Sequence, residues 1–145
     1  MTVDIGKYFV DREQPPLTSS EQEIVHRFHD LYYRRWKASK ADTINLSWFG
    51  HQVWKCPLDL WIYQELLVRH RPEFVVETGT HRGGSALFLA TILDHIGSGS
   101  ILSIDIKNSG GQRPTHPRIN YIMGSSVDPA IVAQAFLQQN GLLPA

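Results

Sequence analysis

The stretch FVVETGTHRGGSALF, residues 74–88, joins an apolar run to a helical pattern through a glycine-rich turn. Phe74–Thr78 holds two adjacent valines, and a short apolar run of this kind is typical of a strand covered on both faces of a parallel sheet. From Gly83 to Ile96 apolar residues recur at helical spacing, and Gly97 follows where the helix should end. A strand, a tight turn and a helix in this order indicate an α/β fold.

The rest of the chain continues this alternation. A helix is predicted over residues 20–39, capped by Ser19 or Ser20, and after a polar loop a second helix begins at Pro57 and stops at Pro72. Strands are predicted at Phe74–Thr78, Ile101–Ile106 and Ile119–Met123. A last helix is capped by Asp128 and ends near Asn140. Two leading helices are thus followed by about three parallel strands, and the alternation places helices on both faces of the sheet.

The glycine turn lies where parallel α/β sheets bind ligands, at the carboxyl end of a strand and the start of a helix. A dinucleotide site would need a glycine two residues after Gly79, but His81 occupies that position and would obstruct a pyrophosphate. The P-loop pattern is also missing from this turn, since no Gly-Lys-Ser/Thr follows. A purely structural alternative stays open, in which the glycines only let strand and helix pack closely.

Glu77, two residues before Gly79, would repel a pyrophosphate but suits a ligand with an ammonium group. S-adenosylmethionine carries an amine, a carboxylate and a sulfonium and has no phosphate. We expect Glu77 to meet the amine, directly or through water. The N–H groups near Gly83–Ser85, with the Ser85 hydroxyl, would meet the carboxylate.

Two further segments fit the same ligand. Asp105 ends the second predicted strand, 26 positions after Gly79, where an acidic residue can accept hydrogen bonds from ribose hydroxyls. A strand-end aspartate that merely caps a turn is the alternative. After the third strand, Ser125 and Ser126 would lie against the adenine edge or form a turn into the Asp128 cap.

Two long motifs then make a family recognisable. They are W-x-G-x-x-x-x-K-x-P-x-D-x-W-x-Y-Q from Trp48 to Gln64 and E-T-G-T-x-x-G-G-S from Glu77 to Ser85. With ILSIDI and HPRINYIMGSS, they closely resemble the cephalosporin hydroxylase family over residues 45–140. That family groups with the rhamnosyl O-methyltransferases inside the class I S-adenosylmethionine-dependent methyltransferase fold. The resemblance implies a Rossmann-like α/β fold, of which this chain supplies the N-terminal half.

The resemblance also implies which residues bind S-adenosylmethionine, while it identifies no catalytic residue here. The implied cofactor-binding residues are Glu77, Thr78, Gly79, Thr80, Gly83, Gly84, Ser85, Asp105, Ser125 and Ser126. The Trp48–Gln64 segment would cover the cofactor, and Lys55 would line that pocket or simply precede a helix. A divalent metal such as Mg is possible in the family, but the acidic motif of the fourth strand that resembles its site has no counterpart in this sequence.

A class I methyltransferase sheet continues beyond the three strands predicted here. Phe74–Thr78 would then be an edge with unpaired N–H and C=O groups. We therefore expect a truncated fragment, a partial gene product, or a homo-oligomer that covers this edge. The expected organisation is an N-terminal arm and helix over residues 1–44 and a partial S-adenosylmethionine-binding domain over residues 45–145.

The charge and hydropathy of the chain limit the classes of partner that it is expected to bind. Fourteen basic residues balance fourteen acidic ones, so bulk electrostatics do not favour nucleic acid or an anionic membrane. No apolar run approaches the ~18–20 residues of a membrane span, and the N-terminus lacks a signal-peptide core, so we expect a cytoplasmic protein with a small-molecule substrate. The leading hypothesis is O-methylation of a small-molecule or sugar hydroxyl. The alternative is an inactive cofactor-binding remnant or interaction module, and a dinucleotide oxidoreductase is disfavoured by Glu77 and His81.

Overall fold

A computed structural model describes residues 15–38, 46–108 and 112–139. The elements are α1 (Ser19–Ala38), β1 (Ser47–Trp48), β2 (His51–Gln52), α2 (Pro57–His70), β3 (Phe74–Thr78), α3 (Gly84–Ile96), β4 (Ser100–Asp105), β5 (Ile119–Met123) and α4 (Pro129–Gln139). The chain divides into two compact units, Met1–Asn45 and Leu46–Ala145. None of the helices in the described ranges is long and apolar enough to cross a membrane.

In the first unit, a reciprocal capping box starts α1. The backbone N–H of Glu21 donates to Thr18 Oγ1 at 3.4 Å, and Glu21 Oε2 accepts from the Thr18 backbone N–H at 2.8 Å. The predicted cap at Ser19 or Ser20 is therefore wrong, because both serines lie inside the helix. The Thr-x-x-Glu spacing in TSSE is the signal that identifies Thr18. The helix itself is confirmed.

The second unit is built on the parallel sheet β3-β4-β5. The three predicted strands are confirmed, and the register places Glu77 beside Ser103 and Ser103 beside Tyr121. Helices cover both faces: the larger apolar cluster includes residues of α2 and α3, and a smaller one packs Ile131 and Ala135 of α4 against β4 and β5. The α/β fold with helices on both faces is thus confirmed.

A small hairpin lies within the segment predicted as a polar loop. Strands β1 and β2 pair antiparallel around a turn in which Phe49 (φ 46°) and Gly50 (φ 81°) both have positive φ. The Trp48 indole N–H donates to Thr91 Oγ1 at 3.1 Å, and its ring lies edge-on to Phe88 at 5.0 Å, so the hairpin is held on α3. Two-residue strands are too short for a periodic pattern, and Phe-Gly is not the Asn-Gly or Asp-Gly sequence that predicts such a turn.

The strand β3 differs from the prediction that both of its faces are covered. It lies at the edge of the described sheet, pairing with β4 alone, and the Val76 side chain is 56% exposed. The adjacent valines correctly predicted a strand. Val76 lies on the same face as its neighbour Leu102, but α4 packs against β4 and β5 there and leaves Val76 uncovered. The sequence expectation of an exposed edge at Phe74–Thr78 is what the described residues show.

Candidate functional site

The carboxyl ends of the three parallel strands meet along one edge of the sheet. Gly79 N–H donates to the carbonyl of Ile104 at 2.8 Å, and Gly124 N–H donates to the carbonyl of Asp105 at 2.9 Å. The first bond continues the pairing of β3 with β4 by one residue, and the second continues the pairing of β4 with β5 by one residue. The glycine turn, Asp105 and the loop after β5 are thereby brought together, as the sequence predicted for parallel strands.

The glycines of the turn divide into two kinds. A Cβ on Gly79 (φ 87°) would have no described heavy atom within 4 Å, whereas one on Gly83 (φ 77°) would lie 2.7 Å from Pro114 Cδ and 2.9 Å from the Tyr121 hydroxyl oxygen. A Cβ on Gly84 would lie 2.6 Å from the carbonyl oxygen of His51. The close-packing alternative thus explains Gly83 and Gly84, while Gly79 is set by its backbone conformation and leaves space above the turn.

At the start of α3, the backbone N–H groups of Gly84 and Ser85 have no hydrogen-bond acceptor among the described residues. The cap of α3, Gly83, has no side chain to accept hydrogen bonds from the first turn, and no acidic residue occurs there. The N–H groups of Gly84 and Ser85 precede the intrahelical hydrogen-bonding pattern. Together with the helix dipole, they provide a short positive region suited to a carboxylate.

Glu77 is a buried carboxylate, 8% exposed, held by hydroxyl groups. The Ser85 hydroxyl donates to Oε1, and the Ser103 hydroxyl donates to Oε2 at 2.7 Å. The Ser85 hydroxyl therefore binds Glu77 in this structure, and its contact with a ligand carboxylate stays a prediction. Burial of a charge without hydrogen-bond partners would be very costly, and these two donors lower that cost.

Thr78 and Thr80, on either side of Gly79 in the sequence, differ in burial. Thr78 is exposed at the tip of β3. Thr80 is 1% exposed, and its Oγ1 lies 2.7 Å from the Ser103 hydroxyl oxygen. Of the two side chains, that of Thr78 has access to solvent, and Thr80 points into the fold.

Asp105 binds the turn directly. The His81 backbone N–H donates to Oδ2 at 2.8 Å, the Lys107 backbone N–H donates to Oδ1 at 3.0 Å, and an Arg113 guanidinium nitrogen lies 4.0 Å from Oδ2. Burial raises the pKa of the Asp105 carboxyl, but these hydrogen bonds and the Arg113 charge outweigh it, so the net pKa is lowered. The turn-capping alternative is therefore realised, and each oxygen keeps a further lone pair for another donor.

His81 occupies the position that excludes the dinucleotide pattern. It has a positive φ of 49° and is partly buried, with its ring edge-on to Trp54 at a centroid distance of 5.2 Å. Burial and the neighbouring Arg82 charge lower the pKa of its imidazole, with Asp105 opposing them. A neutral aromatic ring at this place adds bulk to the turn where a pyrophosphate would need backbone access.

The loop after β5 forms the predicted turn. Ser125 Oγ accepts from the Val127 N–H at 3.4 Å, and the Ser125 carbonyl accepts from the Asp128 N–H at 3.0 Å. Asp128 Oδ1 accepts from the Ala130 N–H at 2.8 Å, which confirms Asp128 as the cap of α4. Ser125 and Ser126 are partly buried beside the edge of the sheet, and their contact with an adenine stays a prediction.

Two side chains of the site were missed from the sequence. Ser103 is 0% exposed, and Tyr121, its neighbour on β5, donates its hydroxyl to the carbonyl of Pro114 at 3.0 Å. Burial, opposed by Arg113 and reinforced by Glu77, raises the pKa of Tyr121 to about 12. A serine inside the apolar strand ILSID was the available signal, since a buried hydroxyl needs a partner.

A cavity of about 350 Å³ lies beside β3, between that strand and α2. Glu77 and Thr78 form part of its wall, together with Lys55 and Tyr63. The Lys55 ammonium lies 5.4 Å from the centre of the Tyr63 ring. The lining of this cavity includes neither Asp105 nor the turn beyond Thr78, so a place for Lys55 in the cofactor pocket stays a prediction. Within residues 15–38, 46–108 and 112–139, no three His, Cys, Asp or Glu side chains are grouped to hold a metal ion.

Comparison with known proteins finds a matching family and similar sequences. The sequence profile described as Rhamnosyl O-methyltransferase/CmcI matches residues 40–141. Rhamnosyl O-methyltransferase of Mycobacterium leprae is 35% identical over 113 residues, covering 77% of this chain and 47% of that protein. The enzyme of the same name from Mycobacterium bovis BCG is 32% identical over 114 residues, covering 77% and 44%. The chain therefore spans about half the length of the curated relatives it matches.

Solved structures agree on the fold. A CmcI structure with Mg-SAM aligns with a TM-score of 0.55 and 22% identity, over 93% of this chain and 52% of that one. A CmcI apo-structure aligns with a TM-score of 0.55 and 22% identity, over 86% and 51%. At this level of identity, the likeness supports a shared Rossmann-like methyltransferase fold.

Proposed function

The chain belongs to the Rhamnosyl O-methyltransferase/CmcI family, and we propose that it binds S-adenosylmethionine at the glycine turn and methylates a hydroxyl group of a small molecule or sugar. The observation that carries this proposal is a pair of acidic side chains at one sheet edge. Glu77 on β3 and Asp105 on β4 flank a turn with open space above Gly79. The bound cofactor would supply an electrophilic methyl group on its sulfonium.

The chain's own groups fit the three polar parts of that cofactor. Glu77 would accept hydrogen bonds from the ammonium group, and the backbone N–H groups of Gly84 and Ser85 would bind the carboxylate. The free lone pairs of the Asp105 carboxylate would accept hydrogen bonds from the ribose hydroxyls. Thr78, Gly79, Thr80 and Gly83 would shape the loop, while Ser125 and Ser126 would border the adenine.

The donor groups of the described residues do not fit a metal ion. No His, Cys, Asp or Glu cluster suited to a metal occurs in the described part of the chain. We therefore assign no step to Mg, although a CmcI structure contains Mg-SAM. In the proposed reaction this chain binds and orients the cofactor.

Calorimetric titration with S-adenosylhomocysteine tests cofactor binding. We expect the chain to bind it, and Asp105→Asn to weaken binding about tenfold, since one charged acceptor for the ribose hydroxyls is lost. Asp94→Asn is the matched control, because it removes the same charge near the far end of α3, where Asp94 pairs with Arg118 at 2.6 Å. Absence of binding at about 1 mM ligand contradicts the proposal. Binding of NAD alone would favour the dinucleotide alternative.

A cofactor-binding module without catalysis is the second candidate function. It is favoured because each polar side chain identified at the sheet edge is assigned to the cofactor and none to a methyl acceptor. Transfer of a labelled methyl group to candidate sugar or small-molecule acceptors would support the enzyme. Tight binding of S-adenosylhomocysteine without transfer to any acceptor would support the module.

We further propose that a second copy of the chain covers the edge strand β3. Val76 is 56% exposed there, and Trp61 and Ile62 of α2 are 68% and 55% exposed. Light scattering should then give a multiple of the 16.5 kDa chain mass, and Val76→Lys should reduce it. Val127→Lys, at a residue 85% exposed beyond β5, is the control. A stable monomer of the unsubstituted chain would contradict this proposal.

A cytoplasmic location and the absence of nucleic-acid partners stay predictions.

A further inference from the structure

We propose that Ser103 and Thr80 are positioning residues, which orient the Glu77 carboxylate so that the site selects ligands with an ammonium group. The inference rests on the proposed function of the glycine turn. It concerns two hydroxyls that lie behind the expected ligand. Neither hydroxyl is accessible, because Ser103 is 0% and Thr80 1% exposed.

The strand register places the first contact. Glu77 and Ser103 are direct neighbours in the parallel pair β3–β4, and the Ser103 hydroxyl lies 2.7 Å from Glu77 Oε2. The Thr80 hydroxyl oxygen lies 2.7 Å from that of Ser103. Ser85 binds the other carboxylate oxygen, Oε1. Both oxygens of Glu77 are thus fixed from within the fold.

Chemistry sets the direction of these hydrogen bonds. An ionised carboxylate only accepts, so Ser103 must donate its single proton to Glu77. Ser103 can then only accept from Thr80, which makes Thr80 the donor. The resulting chain runs from Thr80 through Ser103 to Glu77, and each donor in it polarises the next.

The charge of Glu77 is left for a ligand to balance. Hydroxyl groups provide dipoles but no positive charge, and across the described ranges no ion pair joins Glu77 to a Lys, Arg or His side chain. A carboxylate has about four lone-pair sites, so two acceptor positions are still open after Ser85 and Ser103 have bound. An ammonium group supplies both the missing charge and the donors.

Matched ligands test this inference. One ligand is S-adenosylhomocysteine, and the other is its deaminated analogue, which keeps the carboxylate but lacks the amine. We expect Ser103→Ala to weaken S-adenosylhomocysteine about fivefold and to leave the affinity for the analogue unchanged. Thr80→Val should weaken the binding of S-adenosylhomocysteine about threefold. Thr80→Ser, which retains the hydroxyl, should bind it with the affinity of the unsubstituted chain.

The coupling to Glu77 gives a second readout. In a Glu77→Gln background, Ser103→Ala should have little further effect on S-adenosylhomocysteine, because the two residues act through one contact. Equal weakening of both ligands would indicate a purely structural role and overturn the inference, as would unchanged affinity in Ser103→Ala and Thr80→Val. If Ser103→Ala does not fold, the comparison of Thr80→Val with Thr80→Ser decides. Failure of the unsubstituted chain to bind S-adenosylhomocysteine would instead refute the proposed function itself.

Discussion

Gly84→Ala is expected to lower the free energy of unfolding of the second unit by about 3 kcal/mol. The new Cβ would lie 2.6 Å from the His51 carbonyl oxygen and would also overlap the backbone of Gln52. A backbone carbonyl cannot rotate away as a flexible side chain can, so the β1–β2 hairpin would have to move off α3. Urea denaturation followed by tryptophan fluorescence measures the change, and Trp48 on the hairpin reports on it directly.

Gly79→Ala is the control for this result. Gly79 also adopts an unusual backbone, with φ of 87°, but its Cβ would have open space among the described residues. The expected cost is therefore about 1 kcal/mol, from the left-handed conformation alone. Equal losses for the two variants, or a neutral Gly84→Ala, would show that the hairpin does not pack against α3 as described.

Glu77→Gln is expected to weaken S-adenosylhomocysteine binding about 30-fold, which corresponds to roughly 2 kcal/mol for a charged hydrogen bond. Glutamine keeps the shape of the side chain but removes the charge that would meet the ammonium group. One of the surrounding hydroxyls can turn to accept from the new amide, so we expect the fold to persist. Calorimetry measures the affinity, and thermal unfolding checks that stability is retained.

Glu73→Gln provides the matched comparison, since Glu73 is exposed and precedes the amino end of β3, opposite the site. It should leave binding unchanged. A Glu77→Gln variant with unaltered affinity would remove Glu77 from the ligand site. A variant that loses affinity and also unfolds at a much lower temperature would indicate that the buried carboxylate mainly stabilises the sheet.

Most of the fold of the second unit was predictable because its signals are local. The valines of β3, the apolar run in ILSID and the glycine that ends α3 are each signals carried by neighbouring residues. The same holds for Asp128, whose cap bond to Ala130 spans two residues. The hairpin β1–β2 could not be found this way, because its stability comes from the Trp48 contacts with Phe88 and Thr91, about 40 positions later.

The residues at the candidate site were predictable from the sequence, but the hydrogen bonds among their side chains were not. Glu77, Gly79 and Asp105 were identified from motif spacing, which reflects the common edge where parallel strands end. The inward direction of Thr80 was not predictable, because a turn residue can face either side until its packing is known. The same limit applies to the Ser85 hydroxyl, which was assigned to a ligand from the sequence and binds Glu77 in the fold.

The sequence by itself determined the order of the four helices and the three parallel strands, the glycine turn and the family, since these follow from residue patterns along the chain. Only the tertiary structure decided what each polar side chain faces. Ser103 lies 26 positions from Glu77, and the register of β3 with β4 alone makes them neighbours. A shift of one residue in that register would turn Ser103 to the opposite face of the sheet. The chain of hydroxyls behind Glu77 exists because long-range strand pairing, which no local pattern encodes, sets that register.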